Sequence, residues 1–163
     1  MEFRTNKGEK LSDVLKTGKV MLVFLRHFGC TFCRETMHEL SEAKPDIESD
    51  GVRVVVVHMI NSATAQEILN LYGLGNVDHI SDSSKLLYKK YGLTSTGFKA
   101  MFGVKNWWRA LVAGLGKGHL VGKPAGDPWQ MPGVFVIRKN QIMNTFTYKY
   151  VSDRPNFREL AII

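Results

Sequence analysis

At 163 residues, with 44% hydrophobic and 23% charged residues, the chain has the ordinary balance of a soluble globular domain large enough for a sizeable core. The net charge of +7 permits acidic partners, yet Lys99, Lys105, Arg109, Lys117 and Lys123 fall between Gly97 and Gly126 with no acidic residue among them, which reads as a solvated basic face. No apolar run is long enough to span a bilayer, and the start MEFRTNKGEK has no apolar signal core, so a cytoplasmic location is expected.

In chain order, Leu11, Val14 and Leu15 have helical spacing after a polar start, and Gly18 can end that helix. Val20, Leu22, Val23, Phe24 and Leu25 form an apolar, β-branched run of the kind a parallel strand shows when helices cover both its faces. Arg26, His27 and Gly29 end it. Cys30-Thr31-Phe32-Cys33 then opens a helix expected to run to about Glu48, with Met37, Leu40 and Ile47 inward and Glu35, Glu39 and Glu42 outward. Pro45 should kink or end it. Val52 to His58 reads as a second buried strand. Thr64 with Glu67 has the spacing of a capping box for a helix carrying Ala65, Ile68, Leu69 and Tyr72. Val77 to Ile80 is a short strand, and Ser81 or Asp82 can cap the helix that holds Leu87 and Tyr91.

From Gly97 to Trp129 the alternation breaks. Phe98, Met101, Phe102, Trp108, Leu111, Val112 and Leu115 share one helical face beside the basic residues, and glycines follow. This segment is expected to pack over the core and shape the rim of the site rather than lie on a membrane surface. Its GKGHLVGK stretch is not a phosphate loop: Lys117 stands where the first glycine belongs, and Pro124 replaces the required hydroxyl residue. Val134 to Arg138, the turn Lys139-Asn140-Gln141 and Ile142 to Tyr148 read as a β-hairpin. A last helix is expected to be capped near Asp153, with Pro155 in its first turn and Phe157 and Leu160 inward.

The chemistry sits in Cys30 and Cys33. Residues i and i+3 share a helical face, close enough for a disulfide, and a cysteine at a helix N-terminus is favoured as the thiolate. Arg26, His27 and Arg34 add positive charge in sequence. A structural zinc site wants four ligands, whereas these are the chain's two cysteines and its five histidines show no paired spacing, so no metal and no cofactor are expected. A disulfide closing so short a loop stabilises little. The pair therefore reads as redox-active.

The element order and the stretch FLRHFGCTFCRE resemble the thioredoxin fold and, within it, the peroxiredoxin-like proteins of the AhpC/TSA type that carry CxxC where other peroxiredoxins carry TxxC. The resemblance covers most of residues 20–163. It implies an α/β, thioredoxin-like domain over 1–163: a central mixed sheet flanked by helices, with an inserted basic segment at about 96–129 before the C-terminal hairpin. It implies thiol-based reduction of a small peroxide, electrons from an external thioredoxin- or glutathione-like thiol, no nucleic acid, and an assembly in which a homodimer is admissible. It makes Pro132 a cis-proline facing the cysteines, with Thr31 and Arg34 shaping the site and Arg26, Arg34 or Arg138 as the positive partner. Aligning TxxC on the motif assigns the peroxide attack to Cys33, whereas helix position favours Cys30. Two alternatives keep the cysteines: a thioredoxin-like protein disulfide reductase, and an interaction module with CxxC as a redox switch.

Overall fold

The computed structural model describes residues 2–29, 31–95, 126–150 and 152–162. Cys30, and the amphipathic segment expected from Gly97 as far as residue 125, lie outside the described residues. Strand β1 (Lys19–Phe24) forms where the apolar run predicts it. One edge pairs in parallel with β2 (Val52–His58), which pairs in parallel with β3 (Asp78–Ser81). The other edge pairs antiparallel with β4 (Gly133–Arg138), which continues antiparallel into β5 (Gln141–Thr147). The resulting mixed five-stranded sheet has the order β3-β2-β1-β4-β5.

Both faces of this sheet are covered, which is why β1 and β2 carry no polar alternation. Met21, Val23, Val54, Val56, Val134 and Val136 meet Met37, Leu40, Ala43 and Ile47 of α2 (Thr31–Ser49), Ala65 and Leu69 of α3 (Ser62–Leu71), and Phe157 and Leu160 of α5 (Phe157–Ala161). On the opposite face Val20, Leu22, Phe24, Val55, Val57 and Phe135 meet Leu11, Val14 and Leu15 of α1 (Leu11–Thr17), and Leu87 and Tyr88 of α4 (Leu86–Lys90). Each fully buried side chain of this size stabilises the fold by about 1.5–3 kcal/mol.

The hairpin turns through Lys139 (φ 50°) and Asn140 (φ 63°), the two left-handed residues of a mirror-image turn whose twist suits the strands it joins.

Several local expectations are corrected. Helix α2 does not end early at Pro45 but continues to Ser49, because Ala43 and Ile47 are locked in the core while Arg158 reaches across the proline to Glu42 O and the Asp46 carboxylate. The cap of α3 is Asn61, whose Oδ1 accepts from Thr64 N at 2.9 Å, so the helix starts before the expected Thr64–Glu67 box. The last helix is likewise capped by Asn156, and Pro155 precedes it. Asp153 instead accepts from the amides of Lys149 and Tyr150 at the end of the hairpin. Asp82 does cap α4, accepting from Leu86 N and Leu87 N at 3.1 and 2.7 Å.

His58, the last residue of β2, and His79, near the start of β3, are both buried, with His58 Nε2 2.9 Å from His79 Nδ1. Gln66 fixes their proton order. Its amide nitrogen donates to Gly75 O and Asn70 Oδ1, leaving its Oε1 to accept from His79 Nε2 at 3.2 Å. His79 Nδ1 is then bare and accepts from His58 Nε2, an arrangement that holds only while the His79 ring is neutral. Burial, and then the neighbouring His79, push His58 down to about 4, and burial lowers His79 as well.

An unfolded histidine titrates near 6.5. Between about pH 6.5 and 4 the unfolded chain therefore binds a proton that folded His58 refuses, and stability is lost as pH falls through that window. Urea unfolding should show a loss on the order of 3 kcal/mol across it. In His58→Leu that part of the slope should disappear; an unchanged slope would mean the pair does not govern it.

Candidate active site

The site is assembled at one edge of the sheet. β1 ends at Phe24, whose register partners are Val57 near the end of β2 and Gly133 at the start of β4. The Tyr88 hydroxyl, reaching up from α4, is shared between Leu25 O at 2.5 Å and Val57 O at 3.0 Å, clipping the two parallel strands together where the chain leaves for the CxxC. The chain then passes Arg26, His27 and Phe28, all buried, and enters α2 at Thr31.

The structure places most of the sequence-predicted residues here. Thr31 is the buried first residue of α2, and Cys33, 5% exposed, lies inside the first turn. Arg34 is half-buried and donates from Nε to Phe28 O at 3.3 Å, bracing the loop ahead of the motif. Arg26 points instead to the loop before β4, donating from Nη1 to Pro128 O at 2.9 Å. Pro132 is buried one residue before β4, so it stands beside the end of β1.

Two expectations fail. The Met131–Pro132 peptide is trans, not cis. Met131 N donates to Thr94 O at 3.1 Å, and the buried Gln130 side chain donates to Leu93 O at 2.9 Å, so the chain arrives already extended, the conformation a trans proline favours in its predecessor. Arg138 cannot be the positive partner. It is opposite Lys19, at the far end of β4 from Gly133, about 17 Å away at 3.3–3.4 Å per strand residue.

Sequence reasoning missed the residues that close the site from elsewhere in the chain. Glu35, expected to face solvent, is 3% exposed and pairs with Arg154, which also binds Glu39. Phe32, Tyr148, Met131 and Phe146 form a small apolar cluster over the first turn of α2. Thr36 donates to Phe32 O at 2.8 Å and is hydrogen-bonded by Tyr148. Burial above all pushes the Tyr148 phenol up, and the nearby Cys33 adds to this; burial, Asp82 and Cys33 do the same for Tyr88. Both phenols are therefore held in their neutral, protonated form in the neighbourhood of Cys33. No sequence signal marks these partners, which lie far along the chain from the motif.

The loop before β4 is tied into the same edge. His27 and Ser95 form backbone bridges with Gly126 and Gln130 respectively, and Lys85 pairs with Asp127 at 2.7 Å. Gly126 has φ 121°, and a Cβ there would lie 2.9 Å from Arg26 O, so only glycine allows this approach.

The AhpC/TSA family matches residues 2–146. The chain belongs to the AhpC/TSA family. It is 25% identical over 165 aligned positions to the prostamide/prostaglandin F synthase of Danio rerio, covering 96% of this chain and 80% of that one. It is 38% identical over 47 residues to the chloroplastic thioredoxin-like protein AAED1 of Arabidopsis thaliana, a match covering 29% of this chain and 19% of that protein. In three dimensions it is similar to peroxiredoxin 6 of Arenicola marina, with a TM-score of 0.66 at 18% identity, covering 99% of this chain and 66% of the other. The yeast mitochondrial 1-Cys peroxiredoxin gives a TM-score of 0.64 at 17% identity, covering 99% and 69%. The thioredoxin-like mixed sheet with flanking helices is thus the fold that peroxiredoxins share. No helix among the described residues is long and apolar enough to cross a membrane.

Removing Arg154 would leave Glu35 as a buried carboxylate without its partner. Arg154→Ala should lower unfolding stability by about 2–3 kcal/mol, less than the cost of breaking a fully buried pair because the Arg154 side chain keeps 24% exposure. Adding Glu35→Gln should recover part of the loss in the same urea titration. No recovery would mean that Arg154 acts through packing rather than charge.

Proposed function

We propose that this chain is a thiol-dependent oxidoreductase that reduces small peroxides through Cys30 and Cys33. The observation that carries the reading is the placement of Cys33 in the buried first turn of α2, at the edge of the sheet where β1 delivers the motif, in a chain of the AhpC/TSA family. One cysteine thiolate attacks the peroxide: a sulfur–oxygen bond forms, the O–O bond breaks, and the leaving oxygen departs as an alcohol or water after taking a proton. The sulfenic acid then condenses with the second thiol, forming S–S and releasing water. An external dithiol reduces that bond and is itself oxidised.

In this reading Cys30, the N-terminal cysteine of the motif, meets the peroxide and Cys33 resolves. The burial of Cys33 favours that order. Thr31 and Arg34 shape the first turn, and Pro132 lines the neighbouring strand end. The reductant is a thioredoxin- or glutathione-like thiol, and the site of action is cytoplasmic.

A second reading, reduction of protein disulfides, is favoured by Trp129. It is 42% exposed on the loop that Arg26 anchors and offers an apolar platform to a polypeptide. The names of the fish relatives add a prostaglandin-class substrate to the panel to be assayed.

The deciding measurement is intact mass after a brief, near-stoichiometric hydrogen peroxide pulse on fully reduced protein, beside Cys30→Ser and Cys33→Ser. The wild type should lose two hydrogens rapidly, and Cys33→Ser alone should trap a sulfenic acid. Trapping in Cys30→Ser instead would reverse the two roles. A rate no greater than that of an ordinary thiol would sink the peroxidase reading and move disulfide reduction ahead.

A further inference from the structure

At the end of the sheet opposite the cysteines, three chain corners enclose a concavity of about 330 Å³. Lys16, Thr17, Gly18 and Lys19 line it from the α1–β1 corner, Asp50 and Gly51 from the α2–β2 corner, and Arg138 and Lys139 from the β4–β5 turn. Four cations thus face one carboxylate. We propose that this concavity is an anion site that takes the phosphate group of a small, soluble phosphorylated molecule.

The arrangement is built rather than scattered. Lys19 and Arg138 are register partners across β1 and β4, where like charges directly opposite each other destabilise the pairing. An anion held between them offsets that repulsion. The turn carrying Lys139 is pinned to the end of α1 by Asn140 N donating to Leu15 O at 3.2 Å, which keeps Lys139 and Lys16 on the same corner. Lys16 has only an exposed pairing with Asp13 at 3.8 Å. Among the described residues neither Arg138 nor Lys139 has an ion-pair partner.

Cβ atoms added at Gly18 and Gly51 would meet nothing within 4 Å, so both glycines border open space. The size suits a small ligand. A carboxylate carries one charge, whereas a phosphate ester carries up to two and offers the bidentate oxygen geometry that an arginine fork matches.

The test uses the full chain, ¹⁵N-labelled and fully reduced, titrated with inorganic pyrophosphate. Saturable amide shifts should cluster at residues 16–19, 50–51 and 138–139, with a dissociation constant of about 1 mM or tighter that weakens with added salt. The exposed double variant Arg138→Gln/Lys139→Gln should weaken binding by about tenfold or more, while its cysteines react with peroxide at the wild-type rate. Shifts spread over the whole basic surface, or equal affinity in the variant, would overturn the site.

A parallel sedimentation with anionic phospholipid vesicles separates the sources of phosphate. Binding to vesicles at lower phosphate concentration than to pyrophosphate would assign the concavity to a lipid headgroup and overturn the soluble-ligand proposal. Because the readout is independent of the cysteines, its failure leaves the redox reading untouched.

Discussion

Strand β1 must be hydrogen-bonded along both edges and covered on both faces at once, and the other elements follow from that requirement. Its residues from Val20 to Phe24 are at most 1% exposed. Such burial is tolerable for a polar backbone only if every amide and carbonyl finds a partner, which β2 supplies on one side and β4 on the other. The side chains alternate between two apolar layers, so helices must lie on both faces. A strand held this firmly is a rigid base from which to launch a short reactive loop.

The loop is then restrained from three directions. Tyr88 joins the ends of β1 and β2 from one face, and Tyr148 with Thr36 buttresses the first turn of α2 from the other. Arg26 and the backbone bridges of His27 and Ser95 tie in the segment before β4. These contacts fix geometry, and the one deeply buried acid of α2, Glu35, is neutralised by Arg154. A thiol in such surroundings is held in a defined position.

The sheet also separates two kinds of chemistry. One end carries Cys33 in the first turn of α2, and the other carries the like-charged cross-strand pair Lys19 and Arg138. Arg138 illustrates how position along a strand outranks residue type. As a cation it suits a thiolate, but five strand residues separate it from the edge where β4 meets the site.

How much was legible in the sequence follows from the range of the forces involved. The apolar runs at Val20–Leu25 and Val52–His58, the hairpin turn at Lys139–Asn140 and the helix following the CxxC are encoded by short-range pattern, and the sequence by itself determined them, along with the α/β class. Local capping was already less certain: Asn61 and Asn156 hold the caps where Thr64 and Asp153 were expected, because several nearby polar residues can serve and packing selects among them. Only the tertiary structure decided the burial of Glu35 against Arg154, the continuation of α2 through Pro45, the trans peptide at Pro132 and the exclusion of Arg138 from the site. Each depends on contacts between residues far apart in the chain, whose energies have no counterpart in local periodicity.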